Sequence, residues 1–222
     1  MRLIDKLRVA GVQEAWAGSF DGLLHRDLSG VNFRVSEECR TSGGLLRPVG
    51  TINPSQTGWQ EELRRCHEQY GMTVIRMYPN YHSYTLDLPD CHELLTSAHQ
   101  RRMIVQIALK MEDERTHHPL MRVPPVDVAP LESLIQRHPQ SRIVILNHQV
   151  IVRNELAAKL ATLGEVYWDI SHAEQVGALE SAIQWIPYQK LVFGSHFPFF
   201  VLDAVTGKFQ ESALGAAVEQ AI

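Results

Sequence analysis

Seven short apolar runs recur along the chain, over residues 12–17, 45–52, 72–78, 103–109, 142–147, 166–170 and 190–193. They are rich in Val and Ile and do not alternate strictly with polar residues, which is how strands buried on both faces read. Apolar residues at helical spacing lie between them: Trp59, Leu63, Cys66 and Tyr70; Cys91, Leu94, Leu95 and Ala98; Leu131, Leu134 and Ile135; Leu156, Leu160 and Leu163. Gly71 and Gly164 stand where two of these helices should end. Strand–helix alternation along the whole chain predicts a parallel sheet with helices outside it. A helix over 2–10 opens the chain and another over 210–222 closes it. No linker or low-complexity stretch interrupts the pattern, so residues 1–222 read as one domain.

Composition narrows the class of partner. With 222 residues, 45% hydrophobic and 21% charged, the chain has the make-up of an ordinary globular domain. A net charge of −4 without a basic stripe argues against nucleic acid. No apolar run approaches the roughly 18 residues of a membrane span, and the start lacks the apolar core of a signal peptide. Cys39, Cys66 and Cys91 are odd in number and lack metal-type spacing, which suits a reducing cytoplasm.

Candidate chemistry gathers where strands end. The segment Lys190-Leu-Val-Phe-Gly-Ser-His-Phe-Pro-Phe199 reads as a buried strand that stops at Gly194-Ser195 and delivers His196 just beyond. Parallel α/β enzymes place catalytic groups in this way. After the run 103–109, the loop Lys110-Met-Glu-Asp-Glu-Arg-Thr-His-His-Pro119 offers Glu112 or Asp113 as a general base. Arg115 in the same loop is a candidate clamp for an anionic substrate. The simpler reading is a solvated loop whose charges pair among themselves. Arg76 sits between Ile75 and Met77 in a strand pattern and needs a buried partner, for which the carboxylates of Asp169 and Glu112 are candidates. Tyr78, Asn80 and His82 follow it and suit a pocket wall. Asn147 beside His148 is placed to orient a substrate carbonyl or to cap the next segment. There is no dinucleotide fingerprint, Walker sequence or Gly-x-Ser-x-Gly elbow.

Several segments, in order, resemble the amidohydrolase-related TIM-barrel family. Leu46-Arg-Pro-Val-Gly-Thr-Ile-Asn-Pro54 resembles its third strand, and Gly71-Met-Thr-Val-Ile-Arg-Met-Tyr-Pro-Asn-Tyr-His82 its fourth. Ile143-Val-Ile-Leu-Asn-His148 resembles the sixth, Val166-Tyr-Trp-Asp-Ile-Ser171 the seventh, and Phe193-Gly-Ser-His-Phe-Pro198 the eighth, where the family pattern is Phe-Gly-Ser-Asp-x-Pro. The resemblance implies a (β/α) barrel whose first strand is missing, in preference to a doubly wound open sheet. It also implies a hydrolase or decarboxylase of a small carboxylated molecule, with its site at the strand carboxyl ends. A missing strand would leave open edges beside an apolar interior, to be covered by a terminal segment or by a second copy in a homo-oligomer.

The family's single divalent metal fares poorly on these residues. Its first-strand His-x-His has no counterpart, its fifth-strand His falls near Ala108, and its eighth-strand Asp is replaced by His196. That leaves His148 and His196 as candidate ligands for a zinc-like ion, where a catalytic zinc takes three protein ligands and water. The expectation is therefore no bound metal, with both imidazoles neutral and hydrogen-bonded. If the chain is active, Arg76, Tyr78, His82, Arg115, Asn147 and Asp169 line the substrate site, and Glu112, Asp113, His148 and His196 exchange protons. The alternative is a non-catalytic, metabolite-binding or partner-completed barrel.

Overall fold

A computed structural model describes residues 3–112, 117–149 and 151–222. Seven strands form one sheet, in sequence order and with every neighbour parallel: β1 Ala15–Ala17, β2 Leu46–Thr51, β3 Val74–Met77, β4 Ile104–Ala108, β5 Arg142–Leu146, β6 Val166–Asp169 and β7 Leu191–Val192. Each expected apolar run contains one of these strands. Helices fill the connections: α2 Leu28–Arg40, α3 Trp59–Glu68, α4 Pro89–Gln100, α5 Leu131–Arg137, α6 Asn154–Leu163 and α7 Ala178–Ala182. Helix α1, Leu3–Val9, precedes the sheet, and α8, Leu202–Glu211, and α9, Ala216–Ala221, follow it.

The period of two along each strand divides the sheet into two faces. Ile75, Met77, Val105, Ile107, Ile143, Ile145, Val166 and Trp168 turn outward and join Leu63, Leu94, Leu131 and Leu160 of the helices in the main core. The opposite face carries a register row of Thr51, Arg76, Gln106, Val144 and Tyr167. It therefore places Thr51, Gln106 and the Arg76 guanidinium on the inner face of the curl. The sheet bends until its two ends meet through side chains. Phe20, after β1, lies 4.3 Å between ring centroids from Phe199, after β7, and Leu202 of α8 clusters with Leu7 and Leu45. The result is an incomplete parallel barrel with helices around it. Among the described residues β1 and β7 do not pair, and they form the two edges of the sheet.

Two elements differ from the sequence reading. Helix α2 was not expected, although Leu28, Val31, Val35 and Cys39 recur at helical spacing and Asp27 caps its start by accepting from Gly30 N–H at 2.9 Å. A buried polar residue masks the pattern. Asn32 is fully buried, accepts from Thr51 N–H at 2.7 Å, and donates to the Thr51 carbonyl and to Glu62 at 2.9 and 2.8 Å. The side chain thus substitutes for a strand partner at the end of β2. The closing helix over 210–222 is the other correction. Ser212 is extended, Gly215 caps a new helix, and α8 and α9 are separate. The break turns the chain back so that Phe193 N–H donates to the Ile222 carbonyl at 2.9 Å. The terminal residues thereby cover part of the free edge of β7. No helix among the described residues is long and apolar enough to cross a membrane.

Candidate functional site

Parallel pairing puts every strand carboxyl end on one face, and the expected residues follow. Asn53, His82, Glu112, Asn147, His148, Asp169 and His196 lie at or just beyond the ends of β2, β3, β4, β5, β6 and β7. Arg76 and Tyr78 rise from β3 into the same mouth. Asp113 and Arg115 lie outside the described residues.

Asp169 is the anchor of this mouth. It is buried, with Oδ1 accepting from Asn147 N–H at 2.7 Å and Oδ2 from Ser171 N–H at 3.2 Å. Its partners are therefore two backbone amides. Asn147 reaches the geometry through a left-handed backbone, φ 56°, which Asn tolerates better than most residues. Its side-chain amide donates to the Lys110 carbonyl, and its Oδ1 accepts from Ser171 Oγ at 2.9 Å. Asn147 thus ties the ends of β4, β5 and β6 together. Gly194 passes directly over the carboxylate, and a Cβ there would lie 2.4 Å from Asp169 Oδ2.

Arg76 finds a different partner from the carboxylates expected for it. Its Nε donates to Gln106 Oε1 at 2.7 Å, and its Nη1 lies 3.4 Å from the Tyr78 hydroxyl. Register explains the exchange: Gln106 is the neighbour of Arg76 across β3 and β4, so the amide arrives first. Among the described residues no carboxylate touches the guanidinium, whose partners are neutral. Gly18 makes room for it, since a Cβ at that position would lie 3.1 Å from Nη1.

Three imidazoles surround Asp169. His148 packs edge-on against Trp168, with centroids 4.9 Å apart, and its Nδ1 is buried without a hydrogen-bond partner. His172 and His196 meet edge-to-face at 5.2 Å, and Phe200 touches both rings. Nε2 of His172 is also buried and unpartnered. His196 holds a left-handed backbone, φ 49°, past the end of β7. All three rings are biased toward the neutral form. Burial lowers each pKa, Asp169 opposes the shift in each, and His196 is pushed down to about 4 with help from His172 and Arg76. Lys110 and Lys208 add to the depression at His172. Lys208 reaches in from α8 and donates to the Ile170 and Ser171 carbonyls at 2.8 Å each. His82 stands at the edge, with Nε2 2.8 Å from the Gly22 carbonyl, Nδ1 buried and unpartnered, and its pKa lowered by burial. Glu112 is only partly covered, 3.8 Å from His117 Nε2.

These shifts carry a pH prediction. A histidine with a lowered folded pKa binds fewer protons folded than unfolded, so its stability contribution is present above the unfolded value of about 6.5 and is lost as pH falls. For His196 the loss should run from about pH 6.5 down through about 4 and reach up to about 3 kcal/mol. Urea unfolding between pH 7 and 4 is the measurement. His196→Asn should flatten the acid limb, and an unchanged slope would contradict this placement of the ring.

The described donors at the mouth do not converge as a family-like metal site would require. A catalytic metal needs about three protein ligands converging on one point. Among the described residues no group of three or more His, Cys, Asp and Glu side chains is so arranged. Asp169 directs both oxygens to backbone amides. His148 and His196 remain as separate imidazoles.

Sequence reasoning missed Gln106, Lys208 and the role of His172. The Gln106 signal was present: one amide in the apolar run 103–109, beside a strand whose buried Arg76 needed a partner. Lys208 carried no signal, because contact with the mouth depends on how α8 returns across the barrel.

Comparison with solved structures places the same fold elsewhere. The chain resembles 2,6-dihydroxybenzoate decarboxylase from Rhizobium, with a TM-score of 0.75, 14% identity, and 99% of this chain and 84% of that one covered. It resembles 5-carboxyvanillate decarboxylase from Sphingomonas paucimobilis with a TM-score of 0.72 and 11% identity, covering 99% of this chain and 79% of that one. A dihydroxybenzoic acid decarboxylase from Polaromonas sp. JS666, with bound manganese and 2-nitroresorcinol, gives a TM-score of 0.73 and 12% identity, covering 99% of this chain and 81% of that one. No curated protein matches by sequence. A family model described as amidohydrolase matches residues 9–221, and the chain therefore belongs to the amidohydrolase family.

Proposed function

We propose that the mouth binds a small carboxylated molecule and cleaves it by decarboxylation or hydrolysis. The observation that carries this reading is the Arg76 guanidinium. It stands inside the barrel, oriented by the neutral Gln106 and without a carboxylate partner among the described residues. A half-buried cation in that state favours an anionic ligand, and its planar fork suits a carboxylate. Lys110 and Lys208 add positive charge around His172, which the Asp169 carboxylate opposes. The decarboxylases of similar fold act on dihydroxybenzoate and carboxyvanillate, which are molecules of this class.

The proton chemistry falls to the imidazoles. Burial, with help from His172 and Arg76, keeps His196 neutral at pH 7, the form that can accept a proton from water or substrate. Asp169 stabilises the imidazolium that results, because its charge favours protonation of His148, His172 and His196 alike. Tyr78 and His82 form one wall, with rings 5.9 Å apart, and Asn147 fixes the loop ends beneath them. Glu112, together with Asp113 and Arg115, is proposed at the rim as a base and an outer anion contact. His148 and His196 are the pair that a zinc-like ion would use. The scattered donors favour chemistry without it. The same scatter favours the second reading, a barrel that binds its carboxylate and does not cleave it.

One assay separates the two. Metal-stripped protein is incubated with 2,6-dihydroxybenzoate and with 5-carboxyvanillate, and proton NMR follows loss of the carboxyl group. Turnover without added metal supports proton chemistry at the mouth. Binding without turnover supports the second reading, and turnover only with manganese contradicts the metal-free account.

A further inference from the structure

Outside the mouth, one pair of side chains is arranged for chemistry the barrel does not use. His92 lies on α4 and His138 at the end of α5, in the helical layer outside the sheet. Nδ1 of His92 is 3.0 Å from Nε2 of His138, and the ring centroids are 5.2 Å apart. One ring therefore carries its proton on the facing nitrogen and donates to the lone pair of the other. Both rings are half-buried. The charged groups acting on them are Asp87, which precedes α4, and Arg137 of α5. No mouth residue is among those groups.

We propose that His92 and His138 form a binding site for a divalent cation of the zinc class, which clips α4 to α5. Imidazole nitrogens bind zinc at about 2.0–2.1 Å, so two of them on a tetrahedral ion lie roughly 3.3–3.4 Å apart. The gap has to open by about 0.3 Å from its present 3.0 Å, and both rings have to turn so that their lone pairs meet at one point beside the line between the nitrogens. The donating ring moves its proton to its other nitrogen, and both facing nitrogens then offer lone pairs to one ion. No net proton leaves, because both rings are neutral before and after. Burial holds both pKa values below the usual range, so the ligand form is already present at pH 7. The Asp87 carboxylate offsets the repulsion from Arg137, and water completes the coordination. Zinc, nickel and copper all accept imidazole, so the site selects a class of ion rather than one element.

The test uses the full chain, stripped of metal with a chelator and titrated with zinc chloride by calorimetry and by thermal melting. The wild type should bind zinc and melt at a higher temperature with it. His92→Gln and His138→Gln should each weaken that binding at least 10-fold and remove the melting shift. His99→Gln, at an exposed histidine elsewhere on α4, should retain both. If a Gln variant does not melt cooperatively, histidine proton NMR of the wild type decides. Zinc should shift the ring protons of His92 and His138 and leave those of His148 and His196 in place. A zinc response that survives both Gln variants, or that moves the mouth resonances instead, overturns the proposal, as does the absence of zinc binding by the wild type.

Discussion

Replacing Arg76 with methionine is expected to weaken binding of a small carboxylate by about 10- to 150-fold. That range follows from the roughly 1.5–3 kcal/mol assigned to hydrogen bonds with charged groups. Methionine nearly fills the space of the arginine stem, so the inner face of β3 should keep its packing. What disappears is the fork, and Gln106 loses the donor that its Oε1 accepts at 2.7 Å. Arg76→Lys should recover part of the loss, because it restores charge without the bidentate geometry. Calorimetric titration with 2,6-dihydroxybenzoate measures the effect, and a melting curve of each variant shows whether the fold is retained. Equal affinity in the wild type and in Arg76→Met would remove Arg76 from the site.

A comparable effect on stability is expected from the smallest change in the mouth. In Gly194→Ala the new Cβ would lie 2.4 Å from Asp169 Oδ2 and 3.1 Å from its Cβ, closer than a methyl group can approach. Asp169 cannot retreat without giving up the Asn147 and Ser171 amides that it accepts from. Overpacking of this kind costs about 1–3 kcal/mol, and each kcal/mol lowers the melting temperature of a chain this size by roughly 2–4 °C. Gly207→Ala is a suitable control, since a Cβ there meets nothing within 4 Å. Matching melting temperatures for Gly194→Ala and the wild type would contradict the close approach.

The fold was legible because the central strands β3, β4 and β5 are buried on both sides. The runs at 72–78, 103–109 and 142–147 are almost wholly apolar, and β3, β4 and β5 lie inside them. Helix α2 was not legible because the buried Asn32 interrupts its apolar face and because its hydrogen bonds go to β2, which no local pattern reveals. The closing helices were misjoined for a related reason. Ser212 is extended and Gly215 starts the new helix, and the turn is completed by the long-range bond from Phe193 N–H to the Ile222 carbonyl, which no local pattern reveals. The candidate site divides in the same way. His148, Asp169 and His196 could be placed because each ends a strand, and parallel strands share their carboxyl end. The partner of Arg76 was misassigned because charge alone was considered, whereas register brings Gln106 to it. His172 was visible after Asp169, but its meeting with His196 depends on how the end of β7 folds over the mouth.

The central claim is that the mouth holds a carboxylate against Arg76. A crystal structure of the chain with 2,6-dihydroxybenzoate tests it most directly. The account predicts carboxylate density within hydrogen-bond distance of the Arg76 guanidinium, with the aromatic ring between Tyr78 and the His172–His196 pair. A ligand bound elsewhere on the molecule, or one whose carboxylate points away from Arg76, would contradict it.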